Sequence, residues 1–270
     1  MNNVTCRRGA GSYRKSMWKA FWLEQRDLPQ GSGFRLWGTE HVLAMLLIMV
    51  LIIVGAVLFR RQQERRRERI LRVIALMLPA LEILKITMLA VSGRMDIGHL
   101  PLHLCSMAIY LYPVAALTGR RCVRESLTEI GMITLLPAAV AAILFPDWTM
   151  YPVCNFYSLH AFVWHALQVL FPILCLLHGW CRPTIRHLWK NTLFLVVGGA
   201  IVGFFDHVTG CNYWFLLRPV PDMPLQILHD LAGATAYPFL LLLTATLINL
   251  MMYGILRIFR GDRRPTEQRG

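Results

Sequence analysis

Acidic charge is scarce in this chain: 15 Asp and Glu stand against 28 Lys and Arg over 270 residues, a formal net charge of +13 at pH 7. None of the seven cysteines, at positions 6, 105, 122, 154, 175, 181 and 211, belongs to a Cys-x-x-Cys pair, which argues against a structural zinc site. There is no glycine-rich phosphate loop and so no indicated nucleotide site; no metal or cofactor is expected. No internal repeat stands out, which counts against transporters built from inverted repeats. The first apolar run follows a basic tail and lacks a small-residue cleavage site, so it does not read as a signal peptide.

Apolar sequence fills the chain instead. Hydrophobic residues make up 56% of it and the mean hydropathy is +0.49, in long blocks too apolar for a soluble globule. Windows of about 18 or more residues with few charges mark membrane spans, and seven fit: 41–59, 73–91, 100–118, 129–146, 159–179, 188–206 and 231–256. The fold class is all-α, a multi-pass helix bundle of about seven transmembrane helices. Residues 1–38 form a basic, poorly ordered tail, 39–257 the transmembrane domain, and 258–270 a second basic tail.

Basic residues set the orientation. The segments 60–72, 119–128, 180–190 and the tail after 256 carry seven, three, three and five Lys or Arg, whereas 92–99, 147–158 and 207–230 carry one, none and one. The C-terminus is expected in the cytoplasm and the N-terminus outside, although the first tail adds seven basic residues to the outer side. The basic borders suit anionic lipid headgroups at the cytoplasmic face of the cell membrane better than nucleic acid.

With that topology His41, His99, His103, His160, His165, His207 and His229 all fall near the outer ends of helices, joined by Glu40, Asp206 and Asp230. Either these are interfacial groups meeting water and headgroups, or they line a shared interior. In the stretch GHLPLHLCSMAIYLYP, from Gly98 to Pro113, Pro101 is expected at the first helical position, setting His103 and Cys105 in the first turns near the positive end of the helix dipole. A thiolate is favoured there, and Cys105 with a second His has the composition of a nucleophile and its base; the alternative is a small buried packing thiol. His165 and Gln168 share a helix face, which suits an imidazole whose second nitrogen is held by the amide. Glu82 and Lys85 sit near mid-span three residues apart, either as a self-neutralising pair or as a cavity wall with Glu82 an acid or base and Lys85 a substrate contact. The loop from Phe204 to Pro224 is too rich in Gly and Pro to stay helical and too apolar for open solvent. It reads as a lid, with Asp206, Asn212, Tyr213 and Arg218 over the site. Cys154 and Cys211 both fall in outer loops, where they could pair as a disulfide.

LPLHLCSMAIYLYP, the approach to the fourth span ending in AAILFPDW, FYSLHAFVWHALQVL and TGCNYWFLLRP together resemble the YwaF-type integral membrane family over about residues 38–256. That family is similar to a eukaryotic transmembrane acyltransferase of ether phospholipids and, more remotely, to multispan hydrolases of lipid esters. The resemblance implies a lipid acyl substrate and a Cys or Thr nucleophile assisted by a His in a later span, which His165 matches. The acyltransferases carry their reactive Cys between the Pro and the His of the motif, where this chain has Leu102; Cys105 stands two residues after the His. The resulting expectation is a lipid acyltransferase or lipid-ester hydrolase acting through Cys105, His165, His103 and Glu82; the alternative is a transporter or small-ligand-binding membrane protein.

Overall fold

Residues 20–221 and 223–261 are described by a computed structural model in which they fold as an all-helical bundle. Seven helices correspond to the seven apolar blocks: α1 (Thr39–Arg60), α2 (Glu64–Val91), α3 (Ala108–Leu117), α4 (Arg121–Leu144), α5 (Phe156–His178), α6 (Leu188–Thr209) and α7 (Pro224–Gly261). Six of them are long and apolar enough to cross a membrane. A 22-residue helix such as α1 rises about 33 Å, matching a hydrocarbon core of about 30 Å.

α5 is the central post. Of its most apolar window 56% is buried, against 11% for α1 and α7, and α1, α2 and α4 all lie against it. α1 buries only His41, Ile48 and Phe59 and turns Leu43, Leu47 and Leu51 outward, as a lipid-facing helix does. At the end carrying the 60–63 turn and the 179–187 loop, hereafter the basic end, Phe59, Leu78, Tyr112, Ile133, Phe171 and Trp180 form the core. Toward the far end Ile48, Leu89, Ala139, Trp148, Tyr157 and Phe162 do so.

α4 changes pitch at its middle. Gly131–Leu135 form a π turn and Leu136–Leu144 resume the α-helix. Pro137 has no N–H to give the carbonyl one turn back, and the wider turn absorbs that lost bond. The bulge is also where α3 comes closest. A Cβ on Gly131 would stand 2.8 Å from the Tyr112 ring, and Tyr112 stacks on Phe171 with centroids 4.3 Å apart.

The third span departs from expectation. Pro101 does not start its helix: the N–H of Leu102 donates to the carbonyl of Leu100 at 2.8 Å, a three-residue turn centred on the proline, whose fixed φ suits that position. Leu100, which precedes the proline, is extended, as a residue before proline prefers. Helical geometry begins only at Leu104, passes through a 3-10 turn at Cys105–Met107 and becomes α3. The 13 residues from Cys105 to Leu117 rise about 20 Å, short of a full crossing. Irregular backbone at this level survives only where protein satisfies its carbonyls. Here Tyr213 Oη donates to Ile97 O at 2.5 Å and Trp214 Nε1 to Leu102 O at 2.8 Å. His103 therefore lies ahead of the helix, and Cys105 in its opening 3-10 turn.

Those donors come from the loop after α6, which folds back as the sequence suggests. Trp214 and Phe215 are held at positive φ, 55° and 56°, a conformation uncommon for bulky side chains. The Trp214 ring settles on α6 where Gly198 leaves room; a Cβ there would stand 2.6 Å from it. Cys211 joins this lid while Cys154 is exposed in the loop before α5, and both are free thiols, so the disulfide open to them from sequence is not formed.

Residues 20–38, assigned from sequence to the tail, cover the far end. Asn155 donates to the carbonyls of Ala20 and Leu23, Tyr151 Oη to buried Glu24 at 3.3 Å, and Arg26 and Arg94 pair with Asp96 and Asp27. Residues 1–19 and 262–270 lie outside the described residues.

Candidate functional site

His165 sits in the third turn of α5. Its Nδ1 donates to the carbonyl of Ala161 at 2.7 Å, its ring stacks on Trp148 with centroids 5.0 Å apart and 12° between planes, and Trp164 meets it edge-on at 5.3 Å. With Nδ1 carrying the proton, Nε2 is left as a lone-pair acceptor. That nitrogen is buried and has no hydrogen-bond partner among the described residues. The expectation that Gln168 holds the second nitrogen is overturned: the helix's own carbonyl does so, a geometry open to any residue four positions on. Gln168 is fully buried one turn deeper, and neither its amide oxygen nor its nitrogen has a partner among the described residues.

Lys85 links this helix to the others. Glu82 and Lys85 form the expected pair on α2 at 2.7 Å, Glu82 buried and Lys85 partly open; the contact is an ion pair without hydrogen-bond alignment. The ammonium lies in electrostatic range of His103, Cys105, Asp147, His160 and His165. Cys105 is half-buried, with the backbone N–H groups of Cys105 and Ser106 directed at its sulfur. No hydrogen bond joins Cys105 to His165 among the described residues; Asp147 lies within electrostatic range of both.

Asp147, between buried Pro146 and Trp148, was not singled out from sequence. It retains exposed surface, yet the surrounding protein desolvates its carboxyl enough to push it above the ordinary value of 3.8, against the opposing pull of His165 and Lys85. The signal available was a lone carboxylate just past the fourth span, inside the AAILFPDW stretch, in a loop free of Lys and Arg.

The lid residues divide. His103 lies under it, its ring 4.9 Å from Tyr213 and 5.4 Å from Phe215, and within electrostatic range of His165. Tyr213 is buried and spends its hydroxyl on Ile97. Asn212 accepts from the N–H groups of Leu217 and Arg218 and donates to Arg218 O, so it shapes the lid. Arg218 is exposed at the rim. Asp206 is fully buried at the end of α6, its carboxylate oxygens without a hydrogen bond of standard geometry among the described residues and with the backbone N–H of Tyr213 beside it.

Three other histidines find partners within the fold. His41 accepts from Trp37 N–H and donates to Ile143 O. His160 reaches Leu81 O at 3.1 Å. His99 meets Asp96 at 2.8 Å; burial works to raise that carboxyl, but the bonds from His99, Arg26 and the Gly98 N–H hold it below the usual range. At the basic end a network unforeseen from sequence surrounds buried Glu129. It accepts from Thr184 N–H at 3.0 Å and Tyr253 Oη at 2.8 Å and pairs with His187 at 2.7 Å. Asn191 donates to Tyr253 Oη and accepts from Thr134. A carboxylate opening the fourth apolar block, with an Asn and a Tyr inside later blocks, was the available sign.

Among the described residues no group of three or more His, Cys, Asp or Glu is placed to hold a metal. No curated protein and no solved structure matches the chain. A family model does, over residues 36–256, from just before α1 through the motif-bearing third span and the lid to the end of the last apolar block: this multi-pass membrane protein belongs to the TMEM164 family.

Proposed function

We propose that this chain is a membrane enzyme that transfers or hydrolyses lipid acyl esters, with Cys105 as nucleophile and His165 as base. One observation carries the reading: His165 is locked in the tautomer that leaves Nε2 basic, and that nitrogen is buried with no hydrogen-bond partner among the described residues. A purely structural imidazole buried this deeply would use both nitrogens, as His41 does.

Cys105 and Asp147 are enclosed by protein yet keep accessible surface, which suits groups bordering a recess. In the first step the Cys105 S–H proton passes to His165 Nε2 and sulfur bonds to the ester carbonyl carbon. The oxyanion that forms is stabilised by the Lys85 ammonium and by the N–H groups of Cys105 and Ser106. The C–O bond then breaks, the departing alcohol takes the proton from His165, and an acyl thioester remains. Glu82, committed to Lys85, acts as a positioning residue, and His103 stands under the lid as a headgroup contact. The basic end is assigned to the cytoplasmic face of the cell membrane, where its Arg residues meet anionic headgroups.

The test is acyl transfer from a radiolabelled phospholipid to the purified protein. Hydroxylamine-sensitive label on the wild type, absent from Cys105→Ala and reduced in His165→Asn, is expected; label that persists on Cys105→Ala refutes the nucleophile. A binding protein without turnover is the second reading, favoured by the lack of a hydrogen bond between Cys105 and His165. It predicts saturable lipid binding with no label on any variant. A C-terminal reporter tag accessible only from the cytoplasm tests the orientation.

A further inference from the structure

We infer that His165 Nε2 and the side-chain amide of Gln168 together form a subsite for a hydroxyl group, the acceptor of the acyl chain; the inference rests on the reading of His165 as base. His165 and Gln168 are three residues apart on α5 and so share one face. Both are buried, Gln168 completely. Three of their polar atoms, His165 Nε2 and both ends of the Gln168 amide, have no partner among the described residues. Leaving a whole amide unmet inside apolar surroundings is costly, and such groups in folded proteins call for an occupant.

The chemistry of two of these atoms narrows what fits. His165 Nε2 needs a donor, since Nδ1 holds the proton against Ala161. The Gln168 nitrogen needs an acceptor. A hydroxyl meets both at once, its hydrogen on the imidazole and its oxygen taking an N–H from the amide. A carboxylate or phosphate offers no hydrogen to Nε2, and an ammonium offers no lone pair to the amide nitrogen. The helix backbone that carries the amide is anchored here, because the main-chain carbonyl of Gln168 accepts from Tyr112 Oη at 3.2 Å and Tyr112 is itself clamped between Phe171 and Gly131.

The subsite supplies the second half of the reaction. His165 Nε2 takes the hydroxyl proton, the oxygen bonds to the thioester carbonyl carbon, the C–S bond breaks, and the imidazolium returns its proton to the Cys105 sulfur. Water in the subsite yields a free acid; a lipid alcohol yields a new ester. Gln168 thereby sets the choice of acceptor.

Binding of glyceryl monopalmitate and of propyl palmitate, which lacks its hydroxyls, to full-length protein in phosphatidylcholine nanodiscs tests the subsite without requiring turnover. A lipid-alcohol acceptor predicts about tenfold tighter binding of the hydroxyl-bearing ester, the effect of one well-made polar contact, lost in Gln168→Leu and in Gln168→Met. A water acceptor predicts equal binding of the two esters, with incorporation of oxygen from labelled water into released palmitate falling about tenfold in both variants. Equal binding with unchanged or undetectable incorporation overturns the subsite. In Cys105→Ala the hydroxyl preference should persist while labelling is lost, so a failure of the nucleophile assignment is told apart from a failure of the subsite.

Discussion

At the basic end, Glu129 gives its carboxylate to Thr184, His187 and Tyr253, and Asn191 ties Tyr253 back to Thr134. Around α5 nearer the far end, His165, Gln168 and Ser158 all carry buried atoms with no partner among the described residues. Both regions bury polar groups at similar depth in apolar helices. The first joins α4, α6, α7 and the 179–187 loop through bonds that are all internal, which is what a structural network requires in a low-dielectric interior. The second leaves donors and acceptors open, and a folded protein keeps such groups where something else completes them. Saturation thus separates these two regions more clearly than residue type does, since histidine occurs in both.

The sharpest break of this contrast is His165→Asn. Transfer of acyl label should fall about 10²- to 10⁴-fold, the usual loss of a general base, while the unfolding temperature in detergent falls only modestly, because the open nitrogen contributes no internal bond and what is lost is the ring's contact with Trp148 and Trp164. A large loss of thermal stability would place His165 with the scaffold.

The mirror experiment is Glu129→Ala. It strands His187, Tyr253 and the Thr184 N–H, and about 3 kcal/mol or more of stability should be lost, read as a lowered midpoint of thermal aggregation. A midpoint equal to the wild type's would show that the network is dispensable.

Lys85→Met leaves Glu82 buried without its partner and should cost about 3 kcal/mol; the pair replacement of Glu82→Met with Lys85→Met should regain stability yet still lack acyl transfer. A double variant with full activity would reduce the pair to structure.

The smallest effect concerns Asp147. Its carboxyl is raised above 3.8 by desolvation from the protein around it, although the residue keeps exposed surface, so in the window between the unfolded and folded values the native state binds more protons than the unfolded state, and stability falls as pH rises through it. Asp147→Asn should flatten that part of the stability profile measured by thermal unfolding across acidic pH. An unchanged slope would assign the dependence to other groups.

Seven helices were legible because a bilayer demands about 20 apolar residues per crossing whatever the topology; all seven blocks became helices, including the one shortened to Ala108–Leu117. The lid was legible too, from Gly and Pro that stop a helix and aromatics that avoid water. Pro101 was misread because a proline at a helix start and a proline in a three-residue turn share the same φ, and only the donors from Tyr213 and Trp214, more than 100 residues on, make the turn tenable. Composition and spacing by themselves determined a polytopic helical membrane protein with His, Cys and an ion pair inside it. Tertiary structure alone decided which polar groups are spent, as in His41, Asn212 and Glu129, and which stay open, as in His165 and Gln168, because a hydrogen-bond partner is a matter of position in space and the residues that supply it are distant in the chain.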